Sequence, residues 1–123
     1  MAKILIIDDE KEICSLLEKI LTRDGYTVMS ETDPIRGLAI IKKENPDCVL
    51  LDLKMPNMDG IEVLDEINRM NKHIGVIMIT GHGDVENALE AMKLGAYDYI
   101  AKPFDVDFIL SLTKRYLKSR KVV

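Results

Sequence analysis

The sequence predicts a doubly wound α/β domain, in which a parallel sheet is covered by helices on both faces. Two observations predict it. Short β-branched runs alternate five times with stretches of helical periodicity, and the first, third and fourth runs are almost unbroken in apolar residues, as strands buried on both faces are. The 123 residues suit a single domain over positions 1–123, long enough to bury roughly two thirds of the surface its unfolded chain would expose.

The strands are expected at "KILIID" (3–8), "TVMSE" (27–31), "CVLLD" (48–52), "VIMIT" (76–80) and "DYIA" (98–101). After the first, Ile13, Leu16, Leu17, Ile20 and Leu21 recur at helical spacing and predict one inward stripe, which Gly25 stops. Asp33 and Pro34 read as cap and first residue of a second helix with Leu38 and Ile41 facing inward, closed by "ENPD". Asp59 and Glu62 have capping-box spacing before Ile61, Leu64 and Ile67. Val85, Ala88, Leu89 and Met92 mark a fourth helix ending near Gly95. A fifth opens around Asp105 and carries Phe108, Ile109, Leu112 and Tyr116.

Composition narrows the function. The formal charge is −4, with acids and bases interleaved, so the basic stripe of a nucleic-acid-binding surface is missing. The apolar runs are too short to span a membrane and the N-terminus lacks signal-peptide regions, which predicts a cytoplasmic protein that engages neither DNA nor membrane directly. Cys14 and Cys48 show no metal-binding spacing and are read as buried free thiols.

In a doubly wound sheet, ligands bind beyond the carboxyl ends of the strands. There the first strand ends at Asp8 and Asp9, the third at Asp52 and the fourth at Thr80, and Lys102 follows the fifth. A lone Asp at such a place is ordinarily a cap or a turn former. Five residues of these types converging on one edge favour a site instead. Two carboxylates about 4 Å apart repel by roughly 4 kcal/mol at an effective dielectric near 20, so the cluster calls for a cation. Oxygen ligands without His or Cys suit Mg²⁺, and Lys102 suits a phosphate oxygen. Asp52, on the central strand, is the candidate nucleophile toward phosphorus, with Asp8 and Asp9 placed to hold metal and Thr80 to donate a hydroxyl.

The set "IIDDE", "LLDLKMPNMDG", "MITGHG" and "GAYDYIAKPF" resembles the receiver domains of bacterial two-component response regulators over essentially the whole chain. The resemblance implies a five-stranded parallel sheet of order 2-1-3-4-5 with five helices, the flavodoxin-like receiver fold. It implies that Asp52 accepts a phosphoryl group from a sensor histidine kinase or a histidine phosphotransfer protein. Asp9 would ligate Mg²⁺ directly and Asp8 largely through water, with Asp52 and the main-chain carbonyl of Lys54 completing the set. Thr80 and Lys102 would bind phosphoryl oxygens. Tyr99 matches the aromatic switch residue, and the peptide before Pro103 is expected to be cis. The fourth helix, fifth strand and fifth helix would then form the face that controls an output domain or protein, with homodimer formation through that face left open.

Lys54 and His82, two residues beyond Asp52 and Thr80, flank the path of water to an acyl phosphate and are candidates for slowing its hydrolysis; plain solvated side chains are the alternative. Gly81 supplies the small residue expected beside the phosphoryl group. Ile13 is read as core packing, with kinase docking the alternative, and His73 as a surface residue.

A phosphatase of the haloacid-dehalogenase type would need DxDxT where this chain reads "DDEKE", and a flavodoxin-like electron carrier would need a Ser/Thr/Gly-rich phosphate loop there. "GHGDVENALEAMKLGAYDYIAKPF" is similar to receivers of sigma-54-dependent activators, so an excised N-terminal domain and a stand-alone regulator both remain open.

Overall fold

The computed structural model describes residues 2–70, 72–81 and 84–120. Five strands alternate with five helices: β1 (Lys3–Ile7), α1 (Lys11–Arg23), β2 (Thr27–Glu31), α2 (Pro34–Glu44), β3 (Cys48–Asp52), α3 (Gly60–Arg69), β4 (Gly75–Thr80), α4 (Val85–Lys93), β5 (Asp98–Ala101) and α5 (Val106–Arg120). All pairings are parallel and the order is β2-β1-β3-β4-β5. This is the doubly wound fold predicted.

Side chains alternate across a strand, so each buried strand feeds two cores. Leu5, Ile7, Val49 and Leu51 join α3 residues such as Leu64 and Ile67 on one face. Ile4, Ile6, Leu50 and Ile77 meet α1 and α5 on the other. The three inner strands are buried almost throughout, whereas β2 and β5, at the edges, are not.

The helix ends follow local chemistry. Asp33 accepts a hydrogen bond from the Ile35 N–H, and Asp59 and Glu62 form a reciprocal capping box. Gly25 and Gly95 adopt φ of +100° and +102°, which lets the chain leave α1 and α4 in a left-handed turn that a side chain would strain.

Four apolar residues depart from their expected orientation. Leu16, Leu89 and Phe108 are 41%, 51% and 48% exposed, and Val85 also faces solvent. On α1 the buried line is Cys14, Leu17 and Leu21, and on α4 it is Ala88 and Ala91. Small residues bring α4 close to the sheet, Met92 packs partly buried against the core, and Val85 and Leu89 point outward. Cys14 and Cys48 are buried free thiols, and burial pushes their pKa values up to about 11 and about 12.

Gly60 fixes the chain just beyond β3. Its N–H donates to the Leu53 carbonyl at 2.7 Å, and a Cβ there would stand 2.5 Å from the Asp52 carbonyl oxygen and 2.7 Å from the Leu53 Cα. These are backbone atoms and cannot swing aside. Gly60→Ala is therefore expected to cost about 1–3 kcal/mol of stability, measured as a lower urea midpoint at unchanged denaturant slope.

Candidate functional site

Sheet register assembles the site. Ile7 lies opposite Leu51, so the next residues, Asp8 and Asp52, stand side by side at the carboxyl edge. Thr80 lies opposite Ala101, and the Lys102 N–H donates to the Thr80 carbonyl at 2.7 Å, which carries the ladder one residue beyond β5 and brings Lys102 to the same edge. The Lys102–Pro103 peptide is cis, as expected.

Asp8, Asp9 and Asp52 each offer a carboxylate oxygen, and these oxygens lie within 4.8 Å of one another. Asp8 and Asp52 are buried; Asp9 is exposed. Lys102 Nζ approaches Glu10 Oε1 at 2.9 Å, Asp8 Oδ2 at 3.2 Å and Asp52 Oδ1 at 3.6 Å. Its hydrogen bond goes to Glu10. The contact with Asp8 Oδ2 lacks hydrogen-bond alignment, and that buried oxygen has no hydrogen-bond partner. A buried carboxylate oxygen without a donor is costly. The donor set of three carboxylates, one of them with a buried oxygen that accepts no hydrogen bond and meets only the Lys102 ammonium, fits a small hard cation such as Mg²⁺.

Electrostatics bear out the crowding. Burial, then the charge of Asp8 and the contact with Asp9, pushes the Asp52 carboxyl up to about 7 against the lowering pull of Lys102. Burial likewise raises Asp8, opposed by the Glu10 N–H that donates to its Oδ1 at 2.8 Å and by the charge of Lys102. For Lys102 burial works against the charged form, but the Glu10 hydrogen bond and the charges of Asp52 and Asp8 outweigh it, so its pKa rises.

Thr80 is buried, with its hydroxyl donating to the Ile100 carbonyl at 3.5 Å. Tyr99 is half-buried against the core on the α3 face of the sheet. Lys54 pairs through its ammonium with Asp84 Oδ1 at 2.9 Å. A Cβ on Gly81 would lie 3.2 Å from Asp84 Oδ2, so the Asp84 carboxylate crowds the residue after Thr80. His82 lies outside the described residues.

Sequence reasoning missed Glu10, Asp84 and Gly60. Glu10 and Asp84 occupy N-cap positions of α1 and α4, yet neither side chain caps its helix; each binds a lysine instead. The available signal was position, since both follow closely on strand-end residues already singled out.

The comparisons agree with this geometry. A family model described as the response regulator receiver domain matches residues 4–114. Sporulation initiation phosphotransferase F of Bacillus subtilis is 42% identical over 115 residues, which are 94% of this chain and 93% of that protein. The nitrogen assimilation regulatory protein NtrX of Azorhizobium caulinodans is 40% identical over 121 residues, 97% of this chain but 27% of the relative's length. Among solved structures, a response regulator receiver domain protein from Clostridium thermocellum superposes with a TM-score of 0.94 at 36% identity, covering 99% of this chain and 98% of that one. The chain belongs to the response regulator receiver domain family of two-component systems. It spans nearly all of the Bacillus relative and about a quarter of NtrX.

The raised pKa of Asp52 makes the metal-free fold pH-sensitive. Between the ordinary value of 3.8 and about 7 the folded state binds the proton more tightly than the unfolded state, so this group's contribution to stability falls as pH rises through that window. Asp52→Asn removes the charge. In chelator, its stability should match the native protein's near about pH 4 and exceed it by roughly 1–3 kcal/mol near about pH 8, followed by chemical denaturation at each pH. A variant less stable than native at the higher pH would refute the crowded-charge account.

Proposed function

We propose that this chain is a phosphorelay switch in which Asp52 accepts a phosphoryl group from a phosphohistidine of a sensor histidine kinase or a histidine phosphotransfer protein. The observation that carries this reading is the placement of a buried Asp52 among Asp8, Asp9 and Lys102. An Asp52 oxygen attacks phosphorus, the phosphorus–nitrogen bond of the donor breaks, and the imidazole leaves with the bond's electron pair. Asp8, Asp9, Asp52 and the Lys54 carbonyl would hold Mg²⁺, which supplies charge neutralisation for the transferring group. Lys102 pairs with a phosphoryl oxygen, and its raised pKa keeps it fully charged for that role. The chain contributes a phosphoacceptor that catalyses its own modification rather than a turnover enzyme.

The output follows from Thr80 and Tyr99. The Thr80 hydroxyl, at rest on the Ile100 carbonyl, turns to a phosphoryl oxygen, and the ring of half-buried Tyr99 moves into the space it leaves. Tyr99 lies on β5, and Thr80 stands opposite Ala101 of the same strand. Val85 and Leu89 on α4 and Phe108 on α5 present exposed apolar side chains. The face of α4, β5 and α5 would engage an output domain or protein, or a second copy of the chain. Regulators such as NtrX, of which this chain matches a quarter, fit the first arrangement; the Bacillus relative, matched almost end to end, fits a partner in trans. Among the described residues no helix is long and apolar enough to cross a membrane.

Incubation with acetyl phosphate should add one phosphoryl group to the intact mass of the native chain, only with Mg²⁺ present, and none to Asp52→Asn. Absence of the adduct on the native chain would leave Asp52 without the proposed role.

Lys54, held beside the site by Asp84, restricts the approach of water to the acyl phosphate. Lys54→Ala should speed loss of the phosphoryl group by about threefold, a barrier change of about 0.7 kcal/mol, timed by intact mass after removal of the donor. An unchanged lifetime would assign Lys54 a merely solvated side chain.

A further inference from the structure

Asp84 starts α4 without capping it. Among the N-cap residues of α1 to α4, Glu10, Asp33 and Asp59 have extended backbones, with ψ of 108°, 121° and 168°, whereas Asp84 has ψ of 35°. Asp33 and Asp59 accept hydrogen bonds from N–H groups of their own first turns, but the Asp84 side chain accepts none from α4. A capping residue ordinarily needs the extended conformation. Asp84 is therefore turned into a conformation that forgoes the cap.

Its carboxylate is taken by Lys54, whose ammonium stands 2.9 Å from Asp84 Oδ1. The Asp84 side chain is only 13% exposed, so this pair is less screened than an ordinary surface one. The other oxygen, Oδ2, lies 3.2 Å from where a Cβ on Gly81 would stand, and Gly81 directly follows Thr80. Lys54 in turn comes two residues after Asp52, just past the point where the Leu53 N–H donates to the Ile79 carbonyl at 2.9 Å. The pair thus bridges the adjacent ends of β3 and β4, where Asp52 and Thr80 lie. The helix it holds is lightly anchored, since the buried residues of α4 are Ala88 and Ala91, against Val63, Leu64 and Ile67 on α3. Little buried apolar surface leaves a first turn free to rearrange.

We propose that the Lys54–Asp84 pair is a latch that holds the start of α4 uncapped in the resting chain, and that a phosphoryl group on Asp52 opens it. This rests on the reading of Asp52 as the phosphoacceptor given above. The group brings a charge of about −1.5 to −2 to the strand end beside the pair. It attracts the Lys54 ammonium on its flexible stem and repels the Asp84 carboxylate, so both forces part them. Once released, Asp84 extends and accepts from the N–H of Glu86 or Asn87, as Asp33 and Asp59 do in their own helices. The modification then reaches α4 by a route separate from Thr80 and Tyr99.

The test is hydrogen exchange at the Glu86 and Asn87 amides, read by NMR on the native chain, Lys54→Met, Asp84→Asn and Asp84→Ala, first without a phosphoryl donor. Lys54→Met frees the Asp84 carboxylate, and Asp84→Asn keeps a good cap while removing the charge that Lys54 holds. Each should slow exchange at one of these amides about fivefold, roughly what one cap contributes. Asp84→Ala loses pair and cap together and should show no slowing. Native exchange rates in both Lys54→Met and Asp84→Asn would overturn the proposal, as would equal slowing in Asp84→Ala. With acetyl phosphate and Mg²⁺, a native chain that has gained one phosphoryl group in intact mass should show the same slowing, and Lys54→Met little beyond its resting value. A phosphorylated native chain with unchanged exchange would refute the opening step. A chain that gains no mass defeats the phosphoacceptor reading and the opening step with it, while the arms without donor still decide whether the latch exists.

Discussion

Repulsion among carboxylates at the carboxyl edge of the sheet is the constraint around which the domain is built. Asp8 and Asp52 are buried side by side because β1 and β3 are adjacent and in register, and Asp9 adds a third charge. Nothing in their own chemistry favours this arrangement. It is imposed by the apolar strands beneath, whose side chains fill two cores and leave each strand end no freedom to move apart. The energy of burying Leu50, Leu51 and their neighbours is thus coupled to holding like charges together. A site poised in this way responds strongly to any added cation or phosphoryl group, since the local dielectric is low and the charge is unbalanced.

The helices around the edge divide by how they use their first residues. At α2 and α3, Asp33 and Asp59 cap their own helices with side-chain hydrogen bonds. At α1 and α4, Glu10 and Asp84 do not; they reach instead to Lys102 and Lys54. A cap contributes about 1 kcal/mol, so two helices that border the site forgo that contribution and gain an ionic tie across it. The helices whose N-termini lie on the site are therefore the ones whose local stability depends on the site's charges, which is the property a switch requires.

The five strands, the helix caps at Asp33 and Asp59 and the stops at Gly25 and Gly95 were legible because each depends on local chemistry that a few neighbouring residues decide. So was the meeting of Asp8, Asp9, Asp52 and Lys102, with Thr80 at the end of the strand next to Asp52, since parallel strands bring their carboxyl ends to one edge. The orientation of Leu16, Val85, Leu89 and Phe108 was not. Helical spacing identifies a stripe but cannot tell which of two adjoining lines meets the sheet, and on α4 the answer was Ala88 and Ala91, whose small size sets the packing distance. Nor did spacing reveal that Glu10 and Asp84 pair with lysines 92 and 30 residues away in the chain, because long-range partners are set by tertiary placement.

The opposite edge of the sheet shows what balanced charge looks like in the same fold. Asp47, just before β3, accepts from the Lys3 N–H at 2.8 Å and from Arg120 at 2.8 Å, and Lys3 pairs with Glu44 at 3.3 Å. Tyr116 of α5 packs edge-on against Tyr97 at 4.9 Å nearby. Here each acid meets a base, and the last turn of α5 is tied to the start of β3. At the carboxyl edge, Asp8, Asp52 and Glu10 share the ammonium of Lys102, and Asp9 adds a further carboxylate beside Asp8 and Asp52. One end of the sheet is thus anchored by matched pairs, while the other carries an excess of negative charge. A change of charge at the second end is therefore expected to move the loops and helix starts around it, with the anchored end as the fixed reference against which that movement becomes a signal.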